Sequence, residues 1–286
     1  MVFHLSAYHT HKHNKEEYFM ATFYLETKQR QFTPETVVFK EAIDQHNWLY
    51  PASRMDAIYF DQSDWGACLQ AAVIAKSRGV ENVIPVGSIQ FVEHFCNDVF
   101  GFDGPMVKAL NVPPELQRPE YLHRKVWPNV DATQLKKLRK QYGDLLVKSG
   151  NTPKRFELAR YTGKEKFPDN EPLFVSTPFE DEILSEWRVF CLNGKIKSIH
   201  PYGPVTAWKM PDVGDVLSMV RRVTENTCPS FALDVAVLGT YPETYTAVVE
   251  VHPFISCGLY GFEGPEVLKM AIAAWRHFIK EAGKNA

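Results

Sequence analysis

The sequence has few cysteines and no long apolar run, and both absences limit what the protein can be. Its five cysteines include no C-x-x-C pair, which argues against a disulfide framework or a zinc knuckle and fits a reducing cytosol. No apolar run approaches the roughly 20 residues that span a bilayer. Residues 1–15 lack a basic segment followed by an apolar core, so we expect no secretory signal. The sequence thus predicts a cytoplasmic protein without a membrane partner.

The charge balance gives no sign of a polyanionic partner. Lysine and arginine (32) nearly match aspartate and glutamate (34), and the formal net charge is -2. Nucleic-acid-binding domains usually carry a basic excess, so we expect no nucleic-acid partner, although a local basic groove is compatible with these numbers. The chain also lacks the G-x-x-x-x-G-K-[ST] and G-x-G-x-x-G loops that bind nucleotides in other folds.

The length of 286 residues predicts about two domains. The first hundred residues alternate between strand and helix, which is typical of a small α/β domain. Strands are predicted at 18–27, 57–60 and 83–86, and helices at 64–77 and 89–99, the last with Ser88 as N-cap. Residues 101–130 hold five prolines and predict an extended connection with one helical turn. We place the boundary there, giving domains 1–104 and 105–286.

The second half is predicted to be mostly β. Strands are expected at 144–148, 173–176, 187–192, 195–200, 231–238 and 244–251, and helices at 212–226 and 265–282. Asn193-Gly194 between two apolar segments predicts a hairpin with a type I′ turn.

The hairpin formed by 231–238 and 244–251 carries the clearest candidate metal site. If its turn is centred on Pro242, Asp234 lies opposite Glu250, with Cβ atoms about 5 Å apart. A turn centred half a residue earlier points the two side chains to opposite faces. His252 shares the face of Glu250, and such a set suits a hard divalent ion. The alternative is that all three are solvent-facing strand residues.

Two further groups of charged residues are candidates for phosphate binding. Glu186 and Arg188 share one strand face, where Arg188 either points at phosphate oxygens or forms an exposed ion pair. Lys148 ends a strand, and a small polar loop leads from it to Lys154. The backbone N–H groups of this loop could hold phosphate, although each lysine by itself is more often a surface residue.

The order of these segments resembles the ATP-grasp superfamily, most closely its RimK-like and R-2-K-type branch. The resemblance rests on LLVK with its loop, SEWRVF, LDVAV and VVEVHP, preceded by VIPVGSIQFVEHF and NVPPEL, and it runs from about Val83 to Gly261. It implies an α+β, ATP-grasp fold in which the nucleotide lies between two β layers, preceded by a small α/β domain.

The resemblance also implies ATP and Mg²⁺ as cofactors and roles for individual residues. Lys148 would reach the α- and β-phosphates, and Lys154, on a closing loop, would reach the triphosphate. Arg188 would face the transferring phosphoryl group, which makes Arg188 and Lys154 the catalytic candidates. The implied cofactor-binding set is Lys148, Lys154, Phe174, Val175, Ser176, Glu180, Glu182, Glu186 and Arg188, with adenine at Leu173–Ser176 and ribose near Glu180 and Glu182. The implied metal set is Asp234, Glu250 and His252.

One position departs from the family. Asparagine usually stands where this chain has His252, and imidazole is a poorer Mg²⁺ ligand than an amide oxygen. The expected function is an ATP- and Mg²⁺-dependent carboxylate–amine ligase that works through an acyl phosphate and releases ADP and phosphate. The alternatives are a catalytically degenerate module that binds nucleotide and a simple phosphotransferase. Both substrates and the oligomeric state are left open.

Two sets of aromatic residues and histidines have weaker signals. Tyr202, Trp208 and Tyr260 either line an acceptor pocket or pack in the core. His4, His9, His11 and His13 alternate near the start, and we expect a solvated segment there rather than a metal site.

Overall fold

The computed structural model describes residues 21–61, 66–102, 107–203, 209–240 and 242–282. The histidines at positions 4, 9, 11 and 13, and Trp208, lie outside the described residues. The strands are β1 (Thr22–Lys28), β2 (Gln31–Phe32), β3 (Asp56–Asp61), β4 (Val83–Val86), β5 (Val126–Val130), β6 (Leu145–Ser149), β7 (Ala159–Tyr161), β8 (Leu173–Ser176), β9 (Ile183–Leu192), β10 (Lys195–Pro201), β11 (Ser230–Thr240) and β12 (Glu243–Pro253). The helices are α1 (Pro34–Leu49), α2 (Gly66–Arg78), α3 (Ile89–Phe100), α4 (Pro119–Leu122), α5 (Ala132–Tyr142), α6 (Val213–Asn226) and α7 (Glu266–Ala282).

The first sheet is built around β1. Strands β3 and β4 pair with β1 in parallel, and β2 pairs with its end in the antiparallel direction. Parallel strands are usually covered on both faces, and all of β1 except Lys28 is buried. Ser88 caps α3 by accepting a hydrogen bond from the Phe91 N–H, as predicted. Pro85 lies in β4, which pairs with β1 alone among the described strands, and such an edge position tolerates proline.

Helix α1 is absent from the predicted elements. It begins at Thr33, whose hydroxyl accepts a hydrogen bond from the Thr36 N–H, and Pro34 occupies its first turn. Both are recognised start signals for a helix. Thr36, Val37 and Val38 follow at once, and such β-branched residues favour a strand, which obscures those signals.

The second sheet has the order β5-β8-β6-β7 and is antiparallel throughout. Its edge strand β5 includes Pro128, so the segment predicted as a connection ends in a strand at the tolerated edge position. Helix α5 is a second element that the prediction lacks. It starts with a reciprocal capping box between Asp131 and Gln134, a signal that the sequence does contain.

The third sheet has the order β10-β9-β11-β12, also antiparallel, and α6 packs on it. The predicted turn between β9 and β10 is confirmed, since Asn193 and Gly194 have φ angles of 50° and 74°. Strand β9 is nearly all buried because it lies between β10 and β11.

The hairpin of β11 and β12 reaches the favourable register through a bulge. Thr240 pairs with Glu243, so the turn is centred half a residue before Pro242 and by itself would point Asp234 and Glu250 to opposite faces. The register shifts between Asp234 and Val235, which leaves Val249 as the extra residue. Beyond this bulge Asp234 pairs with Glu250, as the candidate metal site requires.

The hydrophobic core crosses the predicted boundary. One buried cluster joins β1, α1 and α3 to α7, and it includes Phe190 of β9 and Phe254 after β12. The side chain of Trp275 on α7 donates to the Val80 carbonyl at 2.9 Å. The division at residues 104 and 105 stays a prediction. No helix in the described ranges combines the length and the apolar character needed to cross a lipid bilayer.

Candidate functional site

A cleft of about 980 Å³ separates the second and third sheets, and residues of the first sheet close one end of it. Most of the predicted site residues line it: Lys148, Lys154, Phe174, Ser176, Glu186, Arg188, Glu250 and His252. The cationic Lys148 comes from the second sheet, whereas Arg188, Glu250 and His252 come from the third. The cleft is therefore bounded by two β layers that both contribute charged side chains.

The remaining predicted residues lie elsewhere. Asp234 is fully buried behind the cleft surface, and Val175 is a buried core residue of the second sheet. Glu180 and Glu182 are exposed on the segment that leads from β8 to β9. Strand β8 pairs on both sides, with β5 and β6, so its backbone groups face neighbouring strands. Of this segment, Phe174 and Ser176 line the cleft.

The acidic cluster on β11 and β12 has the geometry of a cation site. Asp234, Glu250 and His252 each offer one ligand atom, and these atoms lie within 4.8 Å of one another. The His252 Nε2 atom is 2.8 Å from Glu250 Oε1 and 3.3 Å from Asp234 Oδ2. Two carboxylate oxygens and one imidazole nitrogen that converge in this way fit a bound cation.

Electrostatics keep both carboxylates ionised. Burial alone would raise the pKa of Glu250, but the charges of Lys148 and His252 hold it well below its usual range. Burial opposes ionisation of Asp234 too, and hydrogen bonds from Arg188 and His252 lower its pKa. Burial lowers the pKa of His252, but Glu250 and Asp234 raise it overall.

The Arg188 side chain is fixed by hydrogen bonds and by contacts with two aromatic rings. Its Nε and Nη2 atoms donate to the two Asp234 carboxylate oxygens at 2.7 and 2.6 Å, and Nη1 donates to the Gly258 carbonyl at 3.0 Å. The guanidinium also faces the rings of Tyr202 and Tyr260, at 5.1 and 4.7 Å from their centroids. Both tyrosines line the cleft, which supports the acceptor-pocket interpretation over core packing for them.

Lys148 connects the two walls. Its Nζ atom forms a salt bridge with Glu250, and it lies 5.9 Å from the centre of the Phe174 ring. Lys148 and Glu250 are each about one-fifth exposed, so water reaches both. Alternate residues of β6 are buried in the second sheet, and this alternation points Lys148 into the cleft.

The loop that follows Lys148 differs from its prediction. The N–H groups of Asn151 and Thr152 donate to Glu171, whose carboxylate also accepts from the Ser149 hydroxyl. These N–H groups are therefore engaged and do not face the cleft as a phosphate cradle. Lys154 lies farther along, in a left-handed backbone conformation with φ of 54°, and it lines the cleft.

Arg124 is a site residue that the sequence analysis missed. Its Nη2 atom donates to the carbonyl of the bulged Val249 at 2.7 Å, and its guanidinium lies 4.4 Å from the centre of the Phe179 ring. Burial lowers the pKa of Arg124 to about 10, against the attraction of Glu250 and Glu186. It remains a cation at neutral pH. Arg124 lies in the proline-rich segment, which has no hydrophobic periodicity from which its position could be predicted.

Glu186 completes the charged lining. Burial, followed by the charges of Asp234 and Glu250, raises its pKa, and the Tyr202 hydroxyl hydrogen-bonds to it. Burial and neighbouring carboxylates also raise the pKa of Tyr202, which keeps this hydroxyl protonated as a donor.

Comparison with known proteins identifies the family. The model of the ATP-grasp domain, R-2-K clade family 3, matches residues 71–277. No curated protein sequence matches the chain. The similar solved structures include a RimK domain ATP-grasp protein from Sphaerobacter thermophilus (10% identity, TM-score 0.48, 91% of this chain and 100% of that chain), D-alanine–D-alanine ligase from Bacillus anthracis with ATP (12%, 0.48, 91% and 99%), and the macrocyclase MdnC with its precursor peptide from Microcystis aeruginosa (11%, 0.45, 91% and 99%). Because the family match covers well over half of the sequence, the chain belongs to family 3 of the R-2-K clade of ATP-grasp domains.

Proposed function

We propose that the protein is an ATP- and Mg²⁺-dependent ligase that joins a carboxylate to an amine through an acyl phosphate and releases ADP and phosphate. The observation that supports this most directly is the contact across the cleft, where Lys148 of one layer meets Glu250 of the other. Phosphoryl transfer needs positioning and charge neutralisation more than a protein nucleophile. A cleft that Lys148 enters from one layer, and Arg188 with the acidic cluster from the other, provides both.

Asp234, Glu250 and His252 would hold the Mg²⁺ ion. Two carboxylates suit a hard cation, and each carboxylate oxygen has two acceptor sites, so Asp234 can bind both Arg188 and a metal. The His252 Nε2 atom lies within 4.8 Å of one ligand atom of each carboxylate. A bound ion would supply charge neutralisation for the phosphates.

The cationic side chains would bind the triphosphate. Lys148 and Lys154 would hold the phosphate oxygens, and Arg124, which also lines the cleft, would add a third positive charge. Arg188, already fixed by Asp234, would face the transferring phosphoryl group without a loss of rotamer freedom on binding. Lys154 and Arg188 are thus the catalytic candidates.

The adenosine would lie toward Phe174 and Ser176, whose side chains line the cleft. Val175 would contribute only to the wall behind them. A ribose contact by Glu180 or Glu182 would require their exposed segment to move toward the cleft. The carboxylate and amine would enter beside Tyr202 and Tyr260.

The function is tested by incubating the purified chain with Mg-ATP and pools of carboxylic acids and amines. We expect ADP and phosphate to form only when an acceptor is present, and hydroxylamine to trap the acyl phosphate as a hydroxamate. Glu250→Gln should abolish the reaction, whereas Glu225→Gln, the matched change at an exposed position of α6, should leave it unchanged. Release of AMP and pyrophosphate, or a stable phosphorylated product, would contradict the proposal.

The degenerate-module alternative depends on His252, which lies inside the acidic cluster. For an active protein, we expect His252→Asn to keep turnover and to lower the Mg²⁺ concentration for half-maximal rate, because an amide oxygen suits Mg²⁺ better than imidazole. The measurement is the rate of ADP release as a function of Mg²⁺. Turnover that appears only in the variant would favour the alternative.

A further inference from the structure

Asn111 is buried between the two walls of the cleft although it belongs to no strand. It is 6% exposed and has a φ of 50°, in the left-handed region that asparagine tolerates better than most residues. It lies in the proline-rich segment between α3 and α4, and it lines the cleft.

The main chain of Asn111 contacts β12, the strand of the third sheet that carries Glu250 and His252. It forms an isolated antiparallel bridge with Val251, whose N–H donates to the Asn111 carbonyl at 2.6 Å. Val251 lies between Glu250 and His252 in sequence. Strand β12 is the edge of the third sheet, so this bridge satisfies a backbone group that has no partner strand on that side.

The side chain of Asn111 contacts the end of β6, the strand of the second sheet that carries Lys148. Its Nδ2 atom donates to the carbonyls of Ser149 and Gly150 at 3.1 and 3.2 Å. These carbonyls follow directly after Lys148. The neighbouring Ala109 N–H donates to the Asn151 carbonyl at 2.7 Å, so the same short segment holds the loop at two points.

We propose that Asn111 is a positioning residue that fixes the separation between Lys148 on one wall and Glu250 with His252 on the other. One residue bonds to the chain immediately after Lys148 and to the residue between the two candidate ligands. Its amide therefore keeps the phosphate-binding cation and the metal-binding cluster in register. This inference rests on the proposed function, since it concerns how Mg²⁺ and nucleotide bind together.

The consequence is a coupling between metal and nucleotide. With the walls in register, Mg²⁺ bound at the acidic cluster strengthens binding of a triphosphate held by Lys148. A variant that lacks the amide would still bind Mg²⁺ and the triphosphate, but bound Mg²⁺ would strengthen binding of the triphosphate less. Loss of the two hydrogen bonds is expected to decrease this coupling about tenfold.

The test is calorimetry of AMP-PNP binding, once in the presence of Mg²⁺ and once with EDTA. The quantity measured is the dissociation constant with EDTA divided by the dissociation constant with Mg²⁺. Asn111→Gly retains the left-handed backbone and the bridge but removes the amide, and Asn111→Asp keeps the shape without the donor. Asn193→Gly is the matched control, because Asn193 also has a φ of 50° but lies in an exposed turn.

We expect both Asn111 variants to lower the ratio about tenfold while Asn193→Gly leaves it unchanged. Thermal unfolding is measured in parallel, since a purely structural role would lower stability and leave the ratio as in the parent. An unchanged ratio in either Asn111 variant would overturn the inference. If Mg²⁺ fails to strengthen binding in the parent itself, the proposed function falls and the inference with it.

Discussion

Replacing Asp234 with alanine is expected to lower the free energy of unfolding by about 3–5 kcal/mol, because it leaves a buried guanidinium without its counter-ion. Asp234 is fully buried, the Arg188 side chain is 6% exposed, and their contact is bidentate. Tyr202 and Tyr260 face Arg188 but provide no negative charge. The measurement is urea unfolding, with the midpoint and the slope both reported.

The control for this prediction is Glu182→Ala, which removes an exposed carboxylate from the neighbouring segment. It should change the free energy of unfolding by no more than about 0.5 kcal/mol. A loss below about 1 kcal/mol for Asp234→Ala would show that the pair is not the anchor that its geometry indicates.

The contribution of Asp234 to stability has a pH dependence of defined sign. The folded pKa of Asp234 lies below its ordinary value, so its stabilisation is present above the unfolded pKa of about 3.9 and is lost as pH falls through the folded value. The difference in the free energy of unfolding between the parent and Asp234→Asn should therefore become smaller in acid.

The second large effect is expected for Lys148→Met. Loss of a charged hydrogen-bond donor to phosphate, at about 1.5–3 kcal/mol, predicts roughly 10- to 100-fold weaker binding of Mg-AMP-PNP. Met keeps most of the apolar stem beside Phe174, so the packing of that stem is retained. The measurement is calorimetry, which needs no knowledge of the acceptor.

Lys140→Met is the matched control for this change. Lys140 is an exposed lysine on α5, which belongs to the same layer. Its replacement should leave the dissociation constant within about twofold of the parent, as expected for a surface change away from the site. Equal weakening by both variants would indicate general loss of positive charge, and no weakening by Lys148→Met would remove Lys148 from the site.

Local patterns were sufficient for much of the fold. The Asn193-Gly194 turn and the start of α3 at Ser88 depend on the nearest few residues, and both were predicted correctly. Helices α1 and α5 were missed even though Thr33 and Asp131 carry start signals. Their apolar residues are too sparse or too β-branched for periodicity alone to indicate a helix.

The site depends on long-range geometry that spacing does not contain. Alternation places Asp234 and Glu250 on one face only if the register is known, and the bulge at Val249 decides that register. Arg124 contacts a carbonyl 125 positions away, and Glu171 engages a loop 19 or 20 positions before it. Neither contact follows from a local motif, so both residues required the folded structure.

The packing of α7 against the first sheet has a consequence for how the chain acquires its structure during synthesis. Trp275 and its neighbours on α7 share one core with β1 and α3, although 195 positions separate Trp275 from Val80, to which it bonds. Translation usually lets an N-terminal unit fold before the rest emerges from the ribosome. In this chain we expect the first sheet to complete its core only after α7 has been synthesised. Until then, the apolar surface that α7 covers is exposed to solvent.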